Sequence, residues 1–169
     1  MESRIAGTAY LFGNNIDTDQ IYPGRYLELT ESEDIAAHVM EGADDSFPTR
    51  FKRGGIIVGG TNFGCGSSRE QAAITLQSAG VKLVIAESFA RIFYRNCINL
   101  GLPLLICPGI SKVVKEGDEV EVALEVGKVV DRTSSTVLIG QELPPYMLDL
   151  LKAGGIKPLL KARVAAGEI

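Results

Sequence analysis

The 169-residue chain is 46% hydrophobic and 22% charged, which suits one domain spanning residues 1–169 with a single sizeable core. Seventeen basic against twenty-one acidic residues leave a net charge of −4, which speaks against a nucleic-acid platform. No stretch approaches the ~18 continuous apolar residues of a membrane span, and "MESRIAGTAYLFG" lacks a basic segment followed by an apolar one, so a cytoplasmic protein with no membrane partner is expected.

"RIAGTAYLF", Arg4 to Phe12, reads as a strand, followed by a polar loop from Gly13 to Leu29. Thr30 and Glu33 have capping-box spacing and open a helix with an apolar stripe at Ile35, Val39 and Met40. This helix carries the only histidine, His38. "ADDSFPTRFKRGG" reads as an irregular surface connection. The middle third alternates: strand "GIIVGG", helix "SSREQAAITLQSAG" stopped by Gly80, strand "VKLVIAE", helix "SFARIFYRNCINLG" stopped by Gly101, strand "LPLLIC". Glycine closes helices at this position because it tolerates the left-handed conformation. A β-α-β-α-β order with continuous apolar strands implies a parallel core. "DEVEVALEVGKVVDRTSSTVLIG" alternates apolar and polar residues, as short antiparallel strands do. "PPYMLDLLKAGG" is a helix with proline in its first turn, and a short segment, 156–169, ends the chain. The fold class is α/β, a parallel βαβαβ core with a β-rich C-terminal part.

The turn "TNFGCGSSREQAA", Thr61 to Ala73, lies between a strand and a helix. Three readings compete for it. Gly64-x-Gly66, with Glu87 ending the next strand, suggests a dinucleotide cradle, but Arg69 stands where the third glycine belongs. Ser67 and Glu70 have S-x-x-E spacing and suit a plain helix cap, which contributes on the order of 1 kcal/mol. A cap leaves two glycines, a second serine and an arginine unexplained. An anion site would use them all, since a helix N-terminus offers free N–H groups and positive potential and arginine a planar fork for a carboxylate. Local physics leaves the cap and the anion site open. The cysteines, Cys65, Cys97 and Cys107, have no metal-ligand spacing. Cys97 and Cys107 read as small buried groups, and no metal is expected on this chain.

"GTNFGCGSSREQA", followed by "VIAESFARIFYRNCINLGLPLL" and preceded by "NNIDTDQIYPGRYL", resembles the small subunit of the isopropylmalate isomerase and homoaconitase family, and is similar to the swivelling fourth domain of aconitase. The resemblance covers nearly the whole chain. It implies an aconitase-swivel-like β/β/α domain and a reaction that dehydrates a small hydroxy-dicarboxylate and rehydrates the neighbouring carbon, in leucine biosynthesis. It implies that Ser67 is the base that takes a proton from carbon, that Arg69 grips a substrate carboxylate with Ser68 adding a hydrogen bond, and that Gly64 and Gly66 let the backbone approach substrate. It assigns Asp19, with Asp17 nearby, to the subunit face, where Asp19 would orient a histidine of the partner. From the residues alone, Asp17 and Asp19 are equally turn residues bonding their own backbone. Cys65 is read as tolerated and not as a nucleophile. Phe89, Ile92 and Phe93 are read as core, with Arg91 and Arg95 solvating the opposite face. The resemblance further implies a large partner subunit carrying a 4Fe–4S cluster, as heterodimer or heterotetramer, with no cofactor on this chain.

Tyr26, Leu27, Glu28 and Leu29 match the family's specificity region. Glu28 would repel an additional carboxylate and Leu29 would suit an isopropyl arm, while Arg25 just upstream could undo that preference by reaching substrate. An isopropylmalate enzyme is therefore expected, with homoaconitate or a methyl- or dimethylmalate as the alternative substrate. A stand-alone nucleotide- or anion-binding module is the alternative from another class.

Overall fold

The computed structural model describes residues 4–169. Three runs of aliphatic residues form β2 (Ile56–Gly59), β3 (Leu83–Ala86) and β4 (Leu104–Ile106), flanked by β1 (Arg4–Leu11). Every residue of β2 and β3 is buried, as expected of parallel strands covered on both faces. β5 (Glu119–Ala123), β6 (Lys128–Asp131) and β7 (Thr136–Ile139) form an antiparallel meander. The order is β4-β3-β2-β1-β5-β6-β7 in one seven-stranded sheet. β1 joins its halves: residues 9–11 pair in parallel with β2, and residues 4–8 pair antiparallel with β5.

The helices are α1 (Thr18–Ile21), α2 (Ser32–Ala36), α3 (Phe47–Arg50), α4 (Glu70–Ser78), α5 (Arg91–Leu100), α6 (Ile110–Val113), α7 (Pro145–Ala153) and α8 (Ile156–Ala165). α4 packs against α1, α2 and α5, and α5 against α7. Gly80 and Gly101 follow their helices with φ of +89° and +86°, as the sequence leads one to expect.

Several expectations are corrected. The polar loop after β1 contains α1, closed by a capping box in which Asp17 accepts from the Gln20 N–H and the Gln20 side chain accepts from the Asp17 N–H. The Thr30–Glu33 box does not form. α2 starts at Ser32 behind Glu31, with no side-chain cap, and ends before His38. Val39 and Met40 are buried but lie in turns, because the Met40 N–H is drawn to the Ile21 carbonyl at 2.8 Å. The supposed surface connection contains α3, whose Phe47 is fully buried and packs edge-on against Tyr10 and Phe12. α5 starts at Arg91 and not at Ser88, since 88–90 run beside Phe63 through hydrogen bonds from Phe63 N to Ser88 O and from Ala90 N to Phe63 O, both 3.0 Å. The final segment is mostly helix, α8.

Candidate active site

The loops that leave the carboxyl ends of β1, β2 and β3 meet, where open parallel sheets usually place ligands. The turn after β2 is laced to both neighbours. Gly64 N–H donates to Ile16 O at 2.7 Å, Thr18 N–H to Cys65 O at 2.8 Å and Asn15 N–H to Thr61 O at 2.8 Å, while Asn62 N–H donates to Ser88 Oγ at 2.8 Å. Gly64 has φ +85°, and a Cβ there would stand 2.2 Å from the Phe93 ring. Glycine at this position therefore serves helix packing, a different reason from the approach to substrate that the resemblance implies. Gly66 has φ +92° with 3.4 Å to the nearest atom, Asp17 Cβ, so only its backbone conformation demands glycine.

Ser67 is not a helix cap. α4 begins at Glu70 with Arg69 extended before it (φ −97°, ψ 116°), and no side chain caps it. The Ser67 carbonyl accepts from Thr18 Oγ1 and from the Arg69 N–H, each at 2.9 Å. That pins the main chain and leaves the Ser67 and Ser68 side chains exposed. Arg69 Nη1 donates to Asp19 Oδ1 at 2.8 Å and to Tyr22 O at 3.3 Å, and the Gly24 N–H donates to the same Asp19 oxygen at 2.8 Å. The Arg69 hydrogen bond, then that of Gly24, hold the Asp19 carboxyl below its usual range. Asp17 is the α1 cap, the plainer of its two readings, whereas Asp19 holds the arginine.

Ser67, Ser68 and Arg69 line a cleft of about 410 Å³ with Thr18, Asn62 and the first turn of α5. Arg91 belongs to that turn and faces the cleft, as does Asn96. Sequence reasoning missed Arg91 by assigning it to the opposite face. The signal was present, since Arg91 opens a helix just after a parallel strand, as Arg69 does. Ile92, read as core, is 53% exposed. Two helix N-termini and two arginines thus converge on one cleft, an arrangement that attracts anions.

The specificity segment stands apart. Tyr26, Leu27, Glu28 and Leu29 do not line the cleft; Leu27 and Glu28 are exposed, and the Leu29 N–H closes onto Tyr26 O at 3.1 Å. Arg25 is turned to Glu41, with Nη2 to Oε1 at 3.2 Å. Glu87 is no ribose ligand. It accepts from Gly109 N and Ser111 N at 2.7 and 2.9 Å and so fastens the start of α6. Burial pushes its carboxyl up, but these bonds outweigh that and leave it lowered. Cys97 and Cys107 are buried, burial raising the Cys97 thiol well above its ordinary value and that of Cys107 to about 11. Among the described residues no cluster of His, Cys, Asp or Glu could hold a metal, so the donor set present does not fit an iron–sulfur cluster.

This is an α/β domain that presents a serine pair and a carboxylate-clamped arginine on an open face. Residues 6–108 match the family described as the aconitase C-terminal domain. The chain belongs to that family. It is 56% identical over 168 residues, 99% of this chain and 100% of the relative, to the isopropylmalate/citramalate isomerase small subunit of Methanocaldococcus jannaschii. It is 51% identical to 3-isopropylmalate dehydratase small subunit 1 of Methanopyrus kandleri, covering 95% of both chains. It is 47% identical to the 2,3-dimethylmalate dehydratase small subunit of Eubacterium barkeri, over 92% of this chain and 96% of the relative. The crystal structure of a 3-isopropylmalate dehydratase from Methanocaldococcus jannaschii superposes with a TM-score of 0.93 at 43% identity, covering 98% of each chain. The swivel-type fold and the hydro-lyase small-subunit family expected from the sequence are both borne out. Among the described residues no helix is long and apolar enough to cross a membrane.

Proposed function

We propose that this chain is the small subunit of a hydro-lyase that interconverts 2- and 3-isopropylmalate by dehydration and rehydration, serving leucine biosynthesis in the cytoplasm. The observation that carries the site is Arg69 locked by Asp19 beside Ser67 and Ser68 on an open cleft. With Nη1 engaged, Arg69 keeps Nε and Nη2 for a substrate carboxylate, and Ser68 adds a hydroxyl donor. Ser67, as alkoxide, receives the proton from carbon and returns one in the reverse direction. A serine alkoxide needs positive potential, and the first turns of α4 and α5 with Arg69 and Arg91 supply it. Departure of hydroxide calls for a Lewis acid, for which the described residues offer no cluster of ligands. We assign that to a 4Fe–4S cluster on a larger partner subunit, in a heterodimer or heterotetramer.

The 2,3-dimethylmalate relative supports a second reading within the same chemistry, a dicarboxylate with a shorter apolar arm. Nothing comparable supports a nucleotide module, since Glu87 is engaged elsewhere. The test is reconstitution with the large subunit and assay of isomerisation. Ser67→Ala should lower kcat by about 10²–10⁴, the range of a general base, with KM little changed. Arg69→Lys should raise KM about tenfold or more, because lysine lacks the bidentate fork. Near-normal kcat in Ser67→Ala would remove the base assignment.

A further inference from the structure

A second depression adjoins the cleft. It lies between α5 and α7, has a volume of about 460 Å³, and shares Phe89 and Arg91 with the cleft. The buried Ile98 and Leu150 line it beside the exposed Arg95 and Tyr146, the latter 66% exposed. Its two walls are joined where Tyr94 OH donates to Met147 Sδ at 3.6 Å. The lining holds two arginines and no aspartate or glutamate.

Those arginines differ from the others in the chain. Of nine arginines, six pair with a carboxylate, and Arg53 donates to the Ser78 carbonyl at 3.0 Å. Among the described residues Arg91 and Arg95 alone have neither an ion pair nor a side-chain hydrogen bond. They stand four residues apart on α5, a spacing that puts both on one helix face. Arg95 does not line the cleft, so a substrate held there leaves it free.

The Lewis acid of the proposed reaction must come against Ser67 from outside, and the subunit that carries it has to cover the cleft and the surface beside it. We infer that the groove between α5 and α7 belongs to that interface and receives an acidic segment of the large subunit. An aspartate or glutamate of the segment pairs with Arg91 and Arg95, and an apolar or aromatic neighbour packs over Ile98 and Tyr146. Arginine, tyrosine and methionine around an apolar floor are the composition of interface cores, and free guanidinium forks suit carboxylates. This rests on the proposed hydro-lyase function.

The test measures the Kd between this chain and the purified large subunit by sedimentation velocity, which reads association without turnover. Arg95→Gln should raise Kd about tenfold, the low end for a close charge pair across an interface, and Arg95→Glu should raise it further. Lys52→Glu makes the same change of charge on an exposed residue before β2, at the strand end away from the cleft, and should shift Kd less than about twofold. An unchanged Tm in each variant checks the fold. Wild-type affinity in Arg95→Glu, equal weakening by Lys52→Glu, or a wild-type chain that does not bind overturns the inference. So does an isolated chain that dimerises until Arg95→Glu is introduced, since a second copy would then fill the groove. A complex that shows the expected shifts but converts no hydroxy-dicarboxylate upholds the docking surface and overturns the functional reading.

Discussion

Arg69 faces two carboxylates in the proposed reaction, that of Asp19 and that of the substrate. Asp19 orients the guanidinium and offsets part of its charge. Asp19→Asn should therefore reduce kcat/KM by loosening Arg69. Its effect on stability has a definite sign. The Asp19 pKa is depressed below 3.8, so its stabilisation is present above the unfolded value and lost as pH falls through the folded one. The Tm gap between wild type and Asp19→Asn should be fully present at pH 7 and narrow as pH falls below 3.8. The stability difference behind it is within ~1 kcal/mol, because the Asp19 side chain is 66% exposed. A gap that does not narrow as pH falls below 3.8 would show that the pair is not its source. Asp131 has the opposite sign. It is buried with Oδ2 unpartnered, and burial followed by its contact with Asp118 raises its pKa. A raised folded pKa means stability present below the unfolded value of 3.8 and lost as pH rises through the folded one. Asp131→Asn, which cannot ionise and supplies a donor to Asp118, should raise Tm at pH 8 and flatten the fall in stability as pH rises above 3.8. An unaltered slope would remove Asp131 as its source.

At the level of elements, what was legible in the sequence was what neighbouring residues decide. The buried strands, the helices ending at Gly80 and Gly101, and the alternating meander all follow from local pattern. The failures lie where distant contacts overrule it. Ser67 and Glu70 have the spacing of a capping box, yet Thr18, 49 residues before Ser67, ties down the Ser67 carbonyl, α4 begins only at Glu70 and the box does not form. α3 was hidden because Pro48 and its polar neighbours read as loop, while Phe47 packs against Tyr10 of β1 across the chain. Arg91 was lost to a face assignment that required knowing where α5 begins. The two glycines of the turn test this distinction between local and distant causes. Gly64→Ala imposes both a left-handed alanine and a clash with Phe93 and should cost more than ~2 kcal/mol, whereas Gly66→Ala imposes only the conformation and should cost about 1 kcal/mol. Urea unfolding of both variants checks the order, and equal losses would remove Phe93 from the explanation.

In the whole molecule, the parallel half of the sheet gathers the cleft at its loop ends, and the antiparallel half extends the sheet away on the other side of β1. The cleft binds and moves a proton in the proposed scheme, but it is open, and among the described residues no cluster of His, Cys, Asp or Glu could hold a Lewis acid for a departing hydroxide. Two of the three thiols are buried with raised pKa values, so they are poorly suited to become thiolate ligands without unfolding. The isolated chain should therefore be colourless and inactive, and incubation with iron and sulfide under reducing conditions should add no absorbance near 400 nm. On the proposed division of labour no metal contributes to its folding free energy, so a chelator should leave its Tm unchanged. Titrating it into a fixed amount of cluster-loaded large subunit should produce isomerase activity that saturates as the complex fills. Turnover by this chain alone, or cluster absorbance that follows it through purification, would place the Lewis acid here and overturn the division of labour between subunits.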